Sequence, residues 1–438
     1  MSDKSVFIYE FVSGGGFNKI NIPISLFCEG FAMLRATIAS FKELSFKITT
    51  LLDDRITYLS CYLKTDQIDF VAACDEYYDL FENHVKKCDY CFIIAPEFSE
   101  ILYNLTKIVE KNEKTLLSIN LPGIKLATHK FKTFQYFKQY GVKTPQTYLL
   151  PRIYNFFDKD FAIRQFKRLK GPIVIKQEDG VGADGIFLLT SEKQIHHFFE
   201  DFSHKLDPEK SYILQEYIEG EDLSVSLIGT SNSPIILSIN SQSINISAQN
   251  TSSEYIGGNT PVKNFETVKK EIIKVLNCLN LELFQGYFGI DFIRKSNGEN
   301  YLIEINPRLT TSYIGICNIL HSNPAELIVQ AKLEPLKLLN EPSLKKKHSK
   351  FLRLELEYIG EKPIEELQEK TIPDLIKLIP EILTPPITVQ SLSEEHSSLI
   401  KSKYSCFIAT EESSFFESEK RIKKIKRFFK ENHFKILS

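Results

Sequence analysis

Residues 286–306 hold two acids and an amide at a spacing that can build a cation site: Gly-Tyr-Phe-Gly-Ile-Asp-Phe-Ile-Arg-Lys-Ser-Asn-Gly-Glu-Asn-Tyr-Leu-Ile-Glu-Ile-Asn. Asn297-Gly298 is the favoured two-residue type I′ turn between two runs of β character. With that turn, Ser296 pairs with Glu299 and Asp291 lies opposite Glu304, their Cβ atoms about 5 Å apart on one face. Asn306 shares that face, whereas Ile303 and Ile305 point into a core. Adjacent carboxylates repel unless positive charge lies between them. A hard divalent cation fits, and Mg²⁺ suits an Asp/Glu/Asn set. The competing reading is a solvated sheet face that tolerates its acids. A one-residue slip would separate the pair.

Two further segments carry chemistry. Gly171-Pro-Ile-Val-Ile-Lys176 reads as a buried strand ending in a lysine, followed by a loop with Gly180, Gly182 and Gly185. Such a loop can turn backbone N–H groups inward around a phosphate, with Lys176 as a point charge beside it. A Gly-rich hairpin with a snorkelling lysine is the plainer alternative. Tyr212-Ile-Leu-Gln-Glu216-Tyr-Ile-Glu-Gly220-Glu-Asp222 places two strands around an acidic turn. Acids there can accept hydrogen bonds from ribose hydroxyls, and a strand edge can meet an adenine ring. Taken alone, this segment is more simply a charged hairpin tip.

The elements that position these residues follow from periodicity. Strands are expected over 5–12 and 46–52, with apolar strand-like runs at 89–97 and 115–119. Helical patterns over 28–41 and 100–112 alternate with them. That order implies a parallel, doubly wound sheet with ligands at the carboxyl ends of its strands, where Ser13-Gly14-Gly15-Gly16, Asp53 and Glu97 stand. Thr128 is expected to cap a helix carrying Phe131, Phe134 and Phe137 that stops at Gly141. Short strands at 173–176, 186–189, 212–217, 223–229, 234–240, 287–294 and 301–305 give an α+β region rich in hairpins. Residues 336–438 carry weaker signals. Their end, Lys420 to Lys435, has an apolar face of Ile422, Ile425, Phe428 and Phe429 under its lysines, expected to dock on its own protein.

In this order the segments resemble the ATP-grasp superfamily of carboxylate–amine ligases over about residues 125–330. The resemblance rests on Lys130 in a Thr-His-Lys helix, Lys176 with its glycine loop, Gln215-Glu-Tyr-Ile218 with Asp222, and Asp291 followed by Glu304-Ile-Asn306-Pro-Arg308. It implies an α/β protein of ATP-grasp fold: an N-terminal doubly wound domain (1–125), a small α+β ATP-binding lobe (126–210), a mixed or antiparallel large lobe (211–335) and a C-terminal extension (336–438). It also implies roles. Lys130 and Lys176 would hold the ATP phosphates under Gly180 and Gly182. Glu216, Tyr217 and Ile218 would meet adenine, and Asp222 the ribose, with Glu219 and Glu221 as competitors. Asp291, Glu304 and Asn306 would hold Mg²⁺, or Mn²⁺, and Arg308 would contact the transferred phosphate, with Arg308 and Lys176 as the catalytic pair. Tyr9-Glu10 through Gly16, Glu29-Gly30 with Met33-Leu34, Asp53-Asp54-Arg55 and Ile94-Ala-Pro-Glu97 resemble a subgroup that includes the tyramine–L-glutamate ligases. The 100-residue tail departs from that subgroup. The resemblance implies an amide formed through an acyl phosphate from a small carboxylate and an amine, and a homodimer. Bicarbonate activation, or nucleotide binding without catalysis, remains an alternative.

Composition is that of an ordinary globular protein. The 438 residues suggest about three lobes at roughly 150 each. A hydrophobic fraction of 43% with 25% charged residues excludes disorder over most of the chain. A net charge of −2 gives no argument for nucleic acid or an anionic membrane as partner. No apolar run is expected to span a membrane. The first apolar stretch, interrupted by Glu10, is expected to open a domain, and a cytoplasmic place is expected. Eight scattered cysteines do not suggest a disulfide scaffold, and Cys88-Asp-Tyr-Cys91 has no second pair for zinc. The Ser13–Gly16 turn is expected to face an acceptor or a phosphate, with Glu10, Glu29 and Glu97 near substrate.

Overall fold

The apolar run Val6-Phe-Ile-Tyr9 becomes the middle of a parallel sheet in the computed structural model, which describes residues 4–154, 156–180, 182, 185–202, 206–230, 234–245, 253–334, 341–362, 366–388 and 403–437. The expected boundary at 335/336, and Val181, Ala183 and Asp184 of the glycine loop, lie outside these residues. Strands β1 (Ser5–Glu10), β2 (Lys47–Asp53), β3 (Gln67–Val71), β4 (Tyr90–Ile94) and β5 (Thr115–Leu116) stand in the order β3-β2-β1-β4-β5, all parallel. Side chains alternate between faces. Phe7 meets Phe81 of α2 (Tyr77–Lys87) on one face, and Phe92 meets Phe41 of α1 (Ile24–Glu43) on the other. Both faces are covered, so β1 and β4 read as continuous apolar runs. Helix α3 (Ile101–Lys111) packs beside β4.

Two expectations change here. Helix α1 runs for 20 residues and is long and apolar enough, by composition, to cross a membrane, contrary to the reading that no run approaches that length. Its apolarity has a local cause. It packs on the parallel sheet and also against α9 (Ser312–Ile319) and the C-terminal strands, so most of its circumference is buried. Thr128 does not cap the helix after it. It closes α4 (Leu121–Ala127), its hydroxyl donating to the Ile124 carbonyl at 2.9 Å, and α5 (Lys130–Gln139) starts after His129.

The second lobe is an antiparallel sheet of β6 (Thr147–Leu149), β9 (Ile173–Gln177), β10 (Phe187–Leu189) and β11 (Tyr212–Glu216), in the order β10-β9-β11-β6. A hairpin of β7 (Arg152–Ile153) and β8 (Phe156–Phe157) stands apart. Helices α6 (Lys159–Leu169) and α7 (Glu192–His197) join its core around Ile173, Ile175, Ile195 and Leu214.

The third sheet has nine antiparallel strands. It begins with β12 (Glu221–Gly229), β13 (Ile235–Asn245), β14 (Glu254–Thr260), β15 (Gly286–Arg294) and β16 (Asn300–Asn306), with α8 (Phe265–Leu276), α9 and α10 (Pro324–Leu333) beside them. It continues through β17 (Ser349–Tyr358), β18 (Ile382–Thr388), β19 (Lys403–Ala409) and β20 (Phe434–Ile436), since β14 pairs with β17. The C-terminal stretch therefore extends the large sheet. Helix α11 (Ile372–Leu378) and helix α12 (Phe415–Glu431) cover it, the latter burying Ile422, Ile425 and Phe429 against Leu354, Leu356 and Tyr404. The basic helix docks on its own chain.

Candidate active site

Asp291 and Glu304 are paired across β15 and β16, as the spacing predicts, but by a different route. The turn is longer than two residues: Lys295 N–H donates to Glu299 O, and Gly298 takes φ +84°. Near the turn Arg294 pairs with Asn300 and Phe292 with Leu302, one residue off the expected register. A bulge at Ile303 then restores the register before Glu304. Two one-residue departures cancel. The bulge also turns Ile303 towards the cavity with Glu304, while Ile305 stays in the core.

The lysines converge on this pair. Lys130 Nζ lies 3.4 Å and Lys176 Nζ 3.8 Å from Glu304 Oε2. Lys130 Nζ also donates to the Gly180 carbonyl, tying α5 to the glycine loop. Burial raises the Glu304 pKa, but the two lysines outweigh it and hold the carboxyl below its usual range. Burial lowers the Lys176 pKa despite Glu304 beside it. Asp291 is pushed up to about 7, by burial first and by Glu304 second. Two amides meet Asp291, Asn306 Nδ2 and Gln242 Nε2, each at 3.0 Å. The Asn306 oxygen is thereby the end left for a ligand. Two carboxylates and an amide oxygen make a hard donor set that fits Mg²⁺. Sequence reading missed Gln242. Its signal was Ser238, Asn240 and Gln242 at every second position of β13, a polar face in a buried strand.

At the hinge, Glu216 pairs its backbone with Gln146, and its Oε2 accepts the Gln146 N–H at 3.1 Å, leaving Oε1 for a ligand. Tyr217 N–H donates to Pro172 O at 3.0 Å. Ile218 is buried and, among the described residues, its N–H meets no protein acceptor. Asp222 lines the cavity, and burial raises its pKa. Glu219 and Glu221 are exposed and off the cavity, so of the three crowded acids Asp222 is the one turned inward. Below the glycine loop, Asp179 accepts the Ser99 N–H at 3.1 Å, a link to the parallel-sheet domain.

One cavity of about 250 Å³ joins these groups to the carboxyl ends of β1 and β4. Arg308 borders it and donates from Nε to Glu97 Oε2 at 2.8 Å. Glu10 and Glu29 line the same end, with Leu26, Met33 and Phe351 as apolar wall. The Ser13–Gly16 turn does not line it. Its glycines are packed: a Cβ at Gly16 would lie 2.3 Å from the Phe11 ring, and one at Gly15 2.5 Å from Val71. Asp53, expected near a ligand, instead holds Arg55 with both oxygens at 2.8 Å, and Arg55 also donates to the Phe17 and Ile20 carbonyls. That motif braces the turn. Cys88 and Cys91 are buried thiols with Sγ atoms 3.3 Å apart.

Three sheets that meet around paired lysines and acids define a nucleotide-binding enzyme with its site between lobes. Residues 127–312 match the ATP-grasp domain family, and residues 46–121 match the pre ATP-grasp 3 domain. The chain is 31% identical over 336 residues to the tyramine–L-glutamate ligase of Methanocaldococcus jannaschii, covering 74% of this chain and 88% of that one. It is 36% identical over 241 residues to that of Methanocaldococcus fervens, covering 54% and 64%. The fold is shared with an L-amino acid ligase from Bacillus licheniformis at a TM-score of 0.64, with 14% identity and 100% and 99% coverage. The chain belongs to the ATP-grasp family, as an ATP-dependent C–N ligase.

Proposed function

We propose that this enzyme joins glutamate to an aromatic amine such as tyramine, forming an amide through an acyl phosphate. The observation that carries this is the continuous cavity. It runs from the hinge at Glu216–Ile218, past Lys130, Lys176, Asp291 and Glu304, to Arg308 and an acidic, apolar-walled end. The similarity to tyramine–L-glutamate ligases supports the substrate pair.

In this reading a carboxylate oxygen attacks the γ-phosphorus of ATP and ADP leaves; the amine, once its ammonium proton is lost to solvent, attacks the acyl carbon through its lone pair, phosphate leaves, and the proton expelled from nitrogen goes with the phosphate or to solvent. The obstacle is charge, because a carboxylate must approach a triphosphate. Lys130 and Lys176 neutralise phosphate oxygens in a buried site, where each charge acts strongly. Asp291, Glu304 and the Asn306 oxygen would hold Mg²⁺, which would supply further positive charge against the phosphates. Arg308, fixed by Glu97, meets the carboxylate or the phosphoryl group in transfer. Gly180 and Gly182 cover the phosphates and keep water from the acyl phosphate. Glu216, Tyr217 and Ile218 bind adenine, and Asp222 the ribose. We take 1–125, 126–210, 211–335 and 336–438 as the units, the last two sharing one sheet.

The test is ADP and phosphate release with Mg-ATP, glutamate and tyramine, followed by mass spectrometry of the product. The expected result is an amide that needs both substrates and vanishes in Glu304→Ala. Release of ADP without amide, whatever amine is supplied, would overturn the reading.

A further inference from the structure

We propose that Glu29 holds the ammonium group of the incoming amine, with the apolar wall beside it taking the body of that substrate. The proposal rests on the ligase reading above and adds to it the residue that selects a cationic acceptor.

The argument begins with α1. Leu26, Glu29, Gly30 and Met33 stand at i, i+3, i+4 and i+7, so they share one helix face, and all four line the cavity. A carboxylate on that otherwise apolar face is costly unless it is paired. Three acids reach this end of the site, and they differ in what meets them. Glu97 is bonded to Arg308 at 2.8 Å. Glu10 accepts Val12 N–H at 3.0 Å, Ser13 N–H at 2.7 Å and the Ser13 hydroxyl at 2.6 Å. Among the described residues the Glu29 carboxylate accepts one hydrogen bond, from Thr311 Oγ1 to its Oε2 at 3.1 Å.

Among the described residues its one close cation is Arg353, 3.9 Å away at Oε1. That guanidinium is already engaged. Arg353 pairs with Glu254 through Nη2 and with Glu355 through Nε at 3.0 Å. One arginine is shared among three carboxylates, of which Glu29 alone lines the cavity, so Glu29 is incompletely paired there. Burial, the main cause, raises the Glu29 pKa, and neither Arg353 nor Arg308 compensates for it. The Glu29 side chain keeps 17% of its surface open, so Oε1 can receive a donor from the cavity. An ammonium group supplies both missing parts, a positive charge and N–H donors.

The class of ligand follows from the neighbours. A substrate carboxylate would be repelled by Glu29 and by Glu10, and belongs on the Arg308 side. Leu26, Met33 and Phe351 form an apolar wall beside Glu29, with Tyr255 and Thr311 as its polar neighbours. That wall fits the apolar or aromatic body of a primary amine whose ammonium group meets Glu29.

The test compares tyramine with hydroxylamine, a small nucleophile that is uncharged at neutral pH and traps acyl phosphates as hydroxamates. Glu29→Gln keeps the shape and the oxygen that meets Thr311 but removes the charge. The expected result is a tyramine KM raised tenfold or more, with hydroxamate formation and the KM values for ATP and glutamate within twofold of the parent. Glu29→Asp, which restores the charge, is expected to recover part of the tyramine affinity. An unchanged tyramine KM in Glu29→Gln overturns the assignment, as does an equal loss of amide and hydroxamate. Absence of hydroxamate in the parent enzyme overturns the ligase reading itself, a separate and recognisable failure. Thermal stabilisation by Mg-ATP in both variants confirms that they fold.

Discussion

Two glycine-rich turns in this chain look alike as sequence and differ as structure. Ser13-Gly14-Gly15-Gly16 follows β1, and the run from Gly180 to Gly185 follows β9. The first is filled. Each of its glycines has a neighbour inside the space a Cβ would need, from Phe11, Val71 or Tyr9. The second is open. Gly182 and Gly185 take φ of +70° and +69°, with nothing within 4 Å of a Cβ. Glycine in the first turn admits close packing around Glu10. In the second it admits a backbone shape and leaves room for a ligand. Composition cannot separate these uses, because both need the same missing atom.

The largest expected effect tests the filled turn. Gly16→Ala drives a methyl into the Phe11 ring, which is itself buried and held edge-on against Phe17 and Tyr77. The ring has nowhere to swing without moving the sheet end. The expected cost is about 3 kcal/mol in denaturant unfolding, at the upper part of the range for overpacking. A loss under about 1 kcal/mol would mean that the turn repacks and that its glycines serve something else.

The next effect sharpens why that turn closes so tightly. It wraps a carboxylate, and burial pushes the Glu10 pKa up from 4.5 to about 7 although Ser13 and Val12 donate to it. The sign follows from proton counts. Below 4.5 both folded and unfolded chains hold the proton, and the contribution is fully present. As pH rises, the unfolded chain releases its proton first, so stability falls until the folded group also ionises near 7. Across that window the loss attributable to Glu10 is about 3 kcal/mol at most. Glu10→Gln is expected to remove this part of the pH slope. Equal slopes in the parent and Glu10→Gln would show that the turn stabilises the charged form fully.

The same contrast explains what could be read ahead of the structure. The residues gathered around Lys176 and Glu304 in the cavity were legible because their chemistry and chain order are local: a lysine at a strand end, an acid two residues from an amide, an acid after a hinge. Asp291 and Glu304 came out paired even though both the turn length and the bulge at Ile303 were missed, since the two errors are opposite in sign. The acceptor end was less legible. Whether Asp53, Glu10, Glu29 or Glu97 is free depends on Arg55, Ser13, Arg353 and Arg308, partners up to hundreds of residues away. The tail was obscure for a related reason. Strands β17 to β20 make sense only once β14 pairs with β17, and β14 itself was not expected. Helix α1 starts four residues before the expected Cys28, in a first turn where Ile24, Ser25 and Leu26 are only half-buried and show no one-sided pattern.

The smallest effect concerns the open turn, and it decides the comparison. At Gly182 an alanine meets no atom, so only the left-handed backbone opposes it. That costs about 1 kcal/mol, and an exposed loop can relax part of it. Stability should hardly change, whereas Gly16→Ala should change it severalfold more. If the loop covers the ATP phosphates with its backbone N–H groups, the same substitution disturbs the cover and raises the KM for ATP by about fivefold, roughly 1 kcal/mol of lost binding. A steady-state ATP titration beside a urea melt reads both quantities on one preparation. A raised KM with an unmoved melt makes the second glycine run a ligand cradle. An unmoved KM makes it a plain turn, and the difference between the two runs would then be one of packing alone.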